Sequence, residues 1–262
     1  MQRKFVSAII FPVIILVTML ACDIGSTVPG PSSAGAPATG APGLNTGDAC
    51  ANPLYPVKQG ATWTYASSGS PAGPFSYTDT ITEVRADGFM LSSQFTGLSR
   101  TQEWTCKPEG LLALTLGGSN AGGITTQGLT AEFTTSDIKG VSIPVNVTPG
   151  MQWAYEMKMQ GTMAMPGDQN ARSNGIVLMN MQEIGMESVT VPAGTFTATK
   201  VQAASNFDII ASFQGMDIPV KFSGATILWY APAVGLVKSV ENGDFGGTAY
   251  TSTTELQSYS IP

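Results

Sequence analysis

Met151-Gln152-Trp153-Ala154-Tyr155-Glu156-Met157-Lys158-Met159-Gln160-Gly161-Thr162-Met163-Ala164-Met165 is the stretch that decides the fold. Met151, Trp153, Tyr155, Met157, Met159, Gly161, Met163 and Met165 share one face, and Gln152, Ala154, Glu156, Lys158, Gln160, Thr162 and Ala164 share the other. Alternation at period two belongs to a strand, whereas a helix would scatter the same residues around its circumference. One dry and one wet face calls for antiparallel neighbours. The stretch after Lys200 repeats the pattern, with Val201, Ala203, Phe207, Ile209, Ala211 and Phe213 set against Gln202, Asn206, Asp208 and Ser212.

Turn chemistry extends this reading in both directions. Asp87-Gly88 and Asn242-Gly243 carry the signal of two-residue hairpins, and Pro166-Gly167-Asp168 closes the methionine-faced strand onto Gly175 to Ile184. No segment after Cys50 shows an apolar stripe at helical spacing. The expected fold is all-β, an antiparallel meander of roughly a dozen strands forming a curled sheet or open barrel. Gly60-Ala61-Thr62-Trp63-Thr64-Tyr65 is echoed by Gly150-Met151-Gln152-Trp153-Ala154-Tyr155, and Trp104 followed by Gly110-Leu111 is echoed by Trp229 followed by Gly235-Leu236. The echoes divide the domain into two similar halves, 50–140 and 141–262, either by duplication or by convergent strand-entry signals.

The segments Tyr55 to Tyr65, Val191-Pro192-Ala193-Gly194-Thr195-Phe196 and Trp229 to Lys238 resemble signatures of uncharacterised bacterial envelope lipoproteins. More distantly, they are similar to open β-barrel carriers of the lipoprotein-localisation type. The resemblance runs over most of Cys50 to the C-terminus. It implies an architecture and assigns no reactive site, because the shared residues mark turns and strand starts.

The N-terminus fits that compartment. Arg3 and Lys4 precede an apolar run from Phe5 to Leu20, and Met19-Leu20-Ala21-Cys22 resembles the lipobox of bacterial lipoprotein signals. The expected organisation is a signal peptide over 1–21, lipidation at Cys22, a linker over 22–49 and a β-domain over 50–262. An uncleaved anchor helix is the competing reading, and both leave the domain on the extracytoplasmic face of the cell membrane. Asp23 resembles an inner-membrane retention signal. The linker, almost all Gly, Pro, Ala, Ser and Thr, holds too little apolar surface to fold and spans on the order of 30 Å as a coil. Of three cysteines, Cys22 goes to lipid, leaving Cys50 and Cys106 as an even pair expected to form a disulfide in an oxidising space.

Composition excludes several classes of function. A formal charge of −6 disfavours nucleic acid, whose binding needs clustered lysine and arginine. With no histidine, the chain offers no Ser-His-Asp or Cys-His arrangement and no usual zinc site. Asp79, Glu83, Glu103 and Glu109 could in principle supply a pair of carboxylates, but scattered acids on solvated strand faces are the commoner arrangement. The expectation is a protein with no catalytic residues, no resident metal and no cofactor.

Methionine is the anomalous residue type. Met157-Lys158-Met159 and Met163-Ala164-Met165 suit copper(I) chemically, yet neighbours on a strand face stand about 7 Å apart, so chelation would need a bend or help from Met179 and Met181. Core packing accounts for the same residues, as does an adaptable wall for an apolar ligand. The leading expectation is a hydrophobic or lipid small-molecule ligand held by Met151, Met157, Met159, Met163, Phe207 and Phe213, with the membrane reached through the lipid anchor. The alternative is a structural or protein-interaction module with a dry core. Alternation alone is common to both.

Overall fold

The computed structural model describes residues 50–262 apart from 71–72, 115–121, 127–128, 166–168, 214–215 and 246–247. Cys22 and the linker therefore lie outside the described residues, as does the Pro166-Gly167-Asp168 turn. The described chain holds fourteen strands in one sheet: β1 (Thr62–Ser68), β2 (Phe75–Arg85), β3 (Gly88–Phe95), β4 (Leu98–Lys107), β5 (Gly110–Ala113), β6 (Gly122–Thr126), β7 (Leu129–Gly140), β8 (Ile143–Pro144), β9 (Gln152–Met165), β10 (Gln169–Val191), β11 (Gly194–Phe213), β12 (Met216–Ala231), β13 (Gly235–Phe245) and β14 (Thr248–Ser260). All the pairings among these strands are antiparallel. The fold class is the expected one.

Two meanders, β1 to β4 and β9 to β14, make up most of the sheet, and β14 returns to pair with β1 from Thr62↔Ser260 to Ser68↔Thr253. β4 pairs with β3 on one edge and shares its other edge between β5 and β6. The contact with β6 is a seam of three pairs, Leu98↔Thr126, Ser99↔Thr125 and Arg100↔Ile124. The sheet thus curls until its ends touch and stays short of a barrel sealed along its length.

β9 alternates as its sequence demands: Tyr155, Met157, Met159 and Gly161 are buried, while Gln152, Ala154, Lys158, Gln160 and Thr162 are exposed. In β11, Val201, Ala203, Ser205 and Ile209 are buried against exposed Gln202, Ala204, Asn206 and Asp208. The turns are less well placed by sequence. Arg85 pairs with Gly88, so Ala86-Asp87 makes the reversal and Gly88 already belongs to the strand. The Asn242-Gly243 expectation is corrected: both residues lie inside β13, and the hairpin reverses beyond the Phe245↔Thr248 pair. Gly243 serves close approach instead, since a Cβ there would meet the Tyr250 ring at 2.8 Å. β10 begins at Gln169, six residues ahead of the expected Gly175, because Met165↔Gln169 already pairs.

The two echoed motifs share backbone geometry. Gly60 and Gly150 both take positive φ, at 83° and 76°, conformations that glycine adopts without steric cost. Ala61 N donates to Lys58 O at 3.0 Å and Met151 N to Thr148 O at 3.0 Å. Ile81 N then donates to Ala61 O, Glu183 N donates to Met151 O, and a bulge follows on each partner strand.

At the bulge the two motifs differ in chemistry. Ile81 is sealed in the first, whereas the second holds Glu183, 5% exposed, whose carboxylate accepts Gly150 N–H at 2.7 Å and Gly185 N–H at 2.8 Å. Glu183→Ala strands both donors and is expected to cost about 3 kcal/mol, the scale of hydrogen bonds to a charged group. Urea unfolding of the full chain checks this, and a change below about 0.5 kcal/mol would show that water replaces the carboxylate.

One end of the curl is plugged. Cys50 and Cys106 form a disulfide with a Cα separation of 4.9 Å, as expected from the cysteine count. Asn52 donates from Nδ2 to the carbonyls of Ile143 and Pro144 and accepts at Oδ1 from the N–H groups of Leu54 and Tyr55. Tyr55 is thereby laid against Trp63, Phe89 and Trp104, with ring centroids 5.6, 6.1 and 5.8 Å away. This plug joins Ile81, Leu111, Val237 and Leu256 in the main core. A smaller cluster of Tyr155, Met157, Val177, Met181, Val201 and Ala203 lies on the β9 to β12 wall.

Candidate functional site: the inner face of the curl

Two walls face the interior, built from different residue types. On the β9 to β12 wall, register places Met157 opposite Val177, Tyr155 opposite Met179 and Trp153 opposite Met181, while Phe207 pairs with Val177 on β10. Met157 is fully buried, and Met179, Phe207 and Leu228 pack against the same cluster while remaining partly exposed. Met159 is buried outside either cluster, and Met151 is half-buried at the strand entry. The structure therefore brings Met157 and Phe207 together, as the ligand reading requires. The side chains of Met163 and Phe213 lie outside the described residues.

The β1 to β4 wall carries a feature the sequence reading passed over. Trp63↔Asp79, Asp79↔Ser93 and Ser93↔Arg100 are register pairs, so these four residues form one row across four strands. Tyr65, Tyr77 and Phe95 make an aromatic row on one side, with Tyr65 and Tyr77 centroids 5.1 Å apart and Tyr77 and Phe95 4.8 Å apart. Ile81 and Leu91 make an apolar row on the other side.

Within the polar row, Arg100 Nη2 donates to Ser93 Oγ at 3.0 Å, and the Ser93 hydroxyl also hydrogen-bonds the Asp79 carboxyl. Burial pushes the Asp79 pKa up, opposed by the Arg100 charge and the Ser93 hydrogen bond. Burial likewise raises the phenols of Tyr55, Tyr65, Tyr77 and Tyr230, and takes Tyr155 up to about 12. These phenols are neutral donors at physiological pH. Asp79 Oδ1, Arg100 Nε and Trp104 Nε1 are sealed from solvent with no hydrogen-bond partner.

Of the other carboxylates considered for acid and base chemistry, Glu83 and Glu103 are held by one guanidinium. Arg85 contacts both Glu103 at 2.6 Å and Glu83 at 3.6 Å, and Glu109 is exposed. Among the described residues no group of three or more His, Cys, Asp or Glu side chains is placed to hold a metal ion. Period two could have revealed Asp79, because Tyr77, Asp79 and Ile81 alternate on one strand face. Arg100 could not be found that way, since the row depends on the register across two hairpins, which the bulge between Ile81 and Glu83 shifts.

Three solved structures are among those similar to this chain. A Bacteroides fragilis protein assigned as exported, with a YmcC-like fold, shares 12% identity at TM-score 0.42, covering 80% of this chain and all of that one. A Parabacteroides distasonis protein assigned as a lipoprotein shares 14% identity at TM-score 0.39, covering 80% of this chain and 99% of that one. The hypothetical lipoprotein YmcC from Escherichia coli K12 shares 8% identity at TM-score 0.37, covering 77% and 85%. No curated protein matches the chain. The DUF3108-like model matches residues 119–259, which takes in the whole methionine-faced meander and more than half of the sequence, and so the chain belongs to the DUF3108-like family.

Proposed function

We propose that this is a lipid-anchored, extracytoplasmic, non-enzymatic protein that binds a hydrophobic or lipid ligand inside the curl. One observation carries the reading. Tyr77, Phe95 and Arg100 on one wall, and Met179, Phe207 and Leu228 on the other, point inward yet are partly exposed, while their neighbours Ile81, Ser93, Val177 and Val201 are sealed. A solidly packed core would bury all of them, because protein interiors pack as densely as organic crystals. Flexible methionine and flat aromatic rings tolerate varied acyl shapes. The anchor rests on the lipobox-like Met19-Leu20-Ala21-Cys22.

An interaction module with a dry core draws on a different observation: Ile176, Ile184, Met186 and Ile210 are exposed on β10 and β11, Met186 at 62%. Native mass spectrometry of the full lipidated chain, extracted in a fluorinated surfactant and followed by organic extraction, separates the two. A non-covalent mass released as lipid, beyond the acyl groups on Cys22, is the expected result. A chain that carries no such mass and takes up no offered lipid would overturn the ligand reading and turn attention to that outer face.

A further inference from the structure

Resting on that ligand reading, we infer that the Asp79–Ser93–Arg100 row is the head-group site of the lumen. It takes an uncharged acyl lipid bearing a vicinal diol, of the monoacylglycerol class, whose chain lies along the methionine wall. Two polar atoms of this row have no hydrogen-bond partner, the acceptor Asp79 Oδ1 and the N–H at Arg100 Nε, while both residues stay partly exposed. Buried polar groups left unpaired cost free energy, so a site that carries both kinds is suited to a group that both donates and accepts.

Charge and spacing narrow the chemistry. Asp79 and Arg100 offset one another through Ser93, so an uncharged head leaves the row balanced, whereas a carboxylate or phosphate adds an uncompensated buried negative charge. Asp79 and Arg100 stand on strands two spacings apart, roughly 9–10 Å between backbones. Ser93 lies between them, and two hydroxyls on adjacent carbons can serve Asp79 and Arg100 separately. The apolar rows on both sides, Tyr65, Tyr77 and Phe95 against Ile81 and Leu91, hold such a head by shape and exclude competing water. The second wall completes the amphipathic lumen, and Tyr230, packed against both core clusters, lies where the two meet.

Three photoreactive probes with one diazirine-bearing C16 chain test the inference on the full lipidated chain in fluorinated surfactant: the glycerol monoester, the free carboxylate and the plain hydrocarbon. Crosslinking saturation at neutral pH is expected to rank the glycerol ester about tenfold or more tighter than either of the others, the yield of one to two buried hydrogen bonds. In Asp79→Asn/Arg100→Gln, which removes both charges together, the ester is expected to fall to the level of the hydrocarbon while hydrocarbon binding holds. Equal binding of all three probes would overturn the head-group site, with water occupying the row and the ligand reading intact. Tightest binding by the carboxylate would overturn the uncharged head. No binding by any probe would overturn the inference and the ligand reading together. If the double variant does not fold, the ranking on the unaltered chain decides.

Discussion

Replacing Cys50 and Cys106 together with serine is expected to lower the stability of the β-domain by about 4 kcal/mol, the largest effect of any change outside the aromatic core. The bridge closes a sequence separation of 56 residues, and the chain-entropy relation gives that figure for a loop of this length. Native-state consequences add to it. Cys50 begins the segment that carries Asn52 into its four hydrogen bonds and Tyr55 onto Trp104 and Phe89. Without the bridge, that plug holds by packing and hydrogen bonds alone. Urea unfolding of the full chain in oxidised, reduced and double-serine forms measures the loss, and protease cleavage near 50–57 should appear first in the unbridged forms. Unchanged midpoints across the three would show that the bridge contributes nothing to stability.

Trp63→Ala is expected to cost about 4 kcal/mol. The indole is 1% exposed, stacks on Tyr55 and donates from Nε1 to the Val234 carbonyl at 2.6 Å. Truncation removes the apolar area, leaves a cavity beside Tyr55 and deprives a carbonyl in the β12–β13 turn of its donor. Trp63→Phe separates these contributions: it retains part of the ring and loses the N–H, so about half of the cost should remain. Calorimetric Tm values for the two variants check the order. A Trp63→Ala domain as stable as the parent would mean that the Tyr55 plug collapses into the space. Exposed ion pairs offer a contrast, for Lys139–Glu156, with side chains 74% and 38% exposed, should be replaceable at little cost.

The site was legible only on its methionine side. Met157 and Phe207 meet because each sits on the dry face of its own strand, a property written into the alternation. Asp79 was visible as an acid and unremarkable, because what makes it distinctive is Arg100, two strands away and separated by two hairpins. One turn expectation failed in an informative way. Asn242-Gly243 has the local chemistry of a reversal, but β12 on one side and β14 on the other extend it as strand, and Gly243 makes room for Tyr250. Local turn propensity is worth less than the ladder hydrogen bonds and side-chain burial that a continued strand gains.

Alternation and the cysteine count were enough for the all-β class, the inward and outward face of the long strands and the Cys50–Cys106 pair. Side-chain direction along a strand has a period of two whatever the neighbours are, and Cys50 and Cys106 are the two cysteines within the β-rich part of the sequence. Tertiary structure alone decided that β14 returns to β1, that the curl meets itself at a three-pair seam, and that Trp63, Asp79, Ser93 and Arg100 fall in one row. Register across strands depends on which residues oppose one another after the chain has turned, and a shift of one residue exchanges the two faces. The reason is cooperative: each pairing is fixed by burial summed over the whole sheet, which no single segment contains.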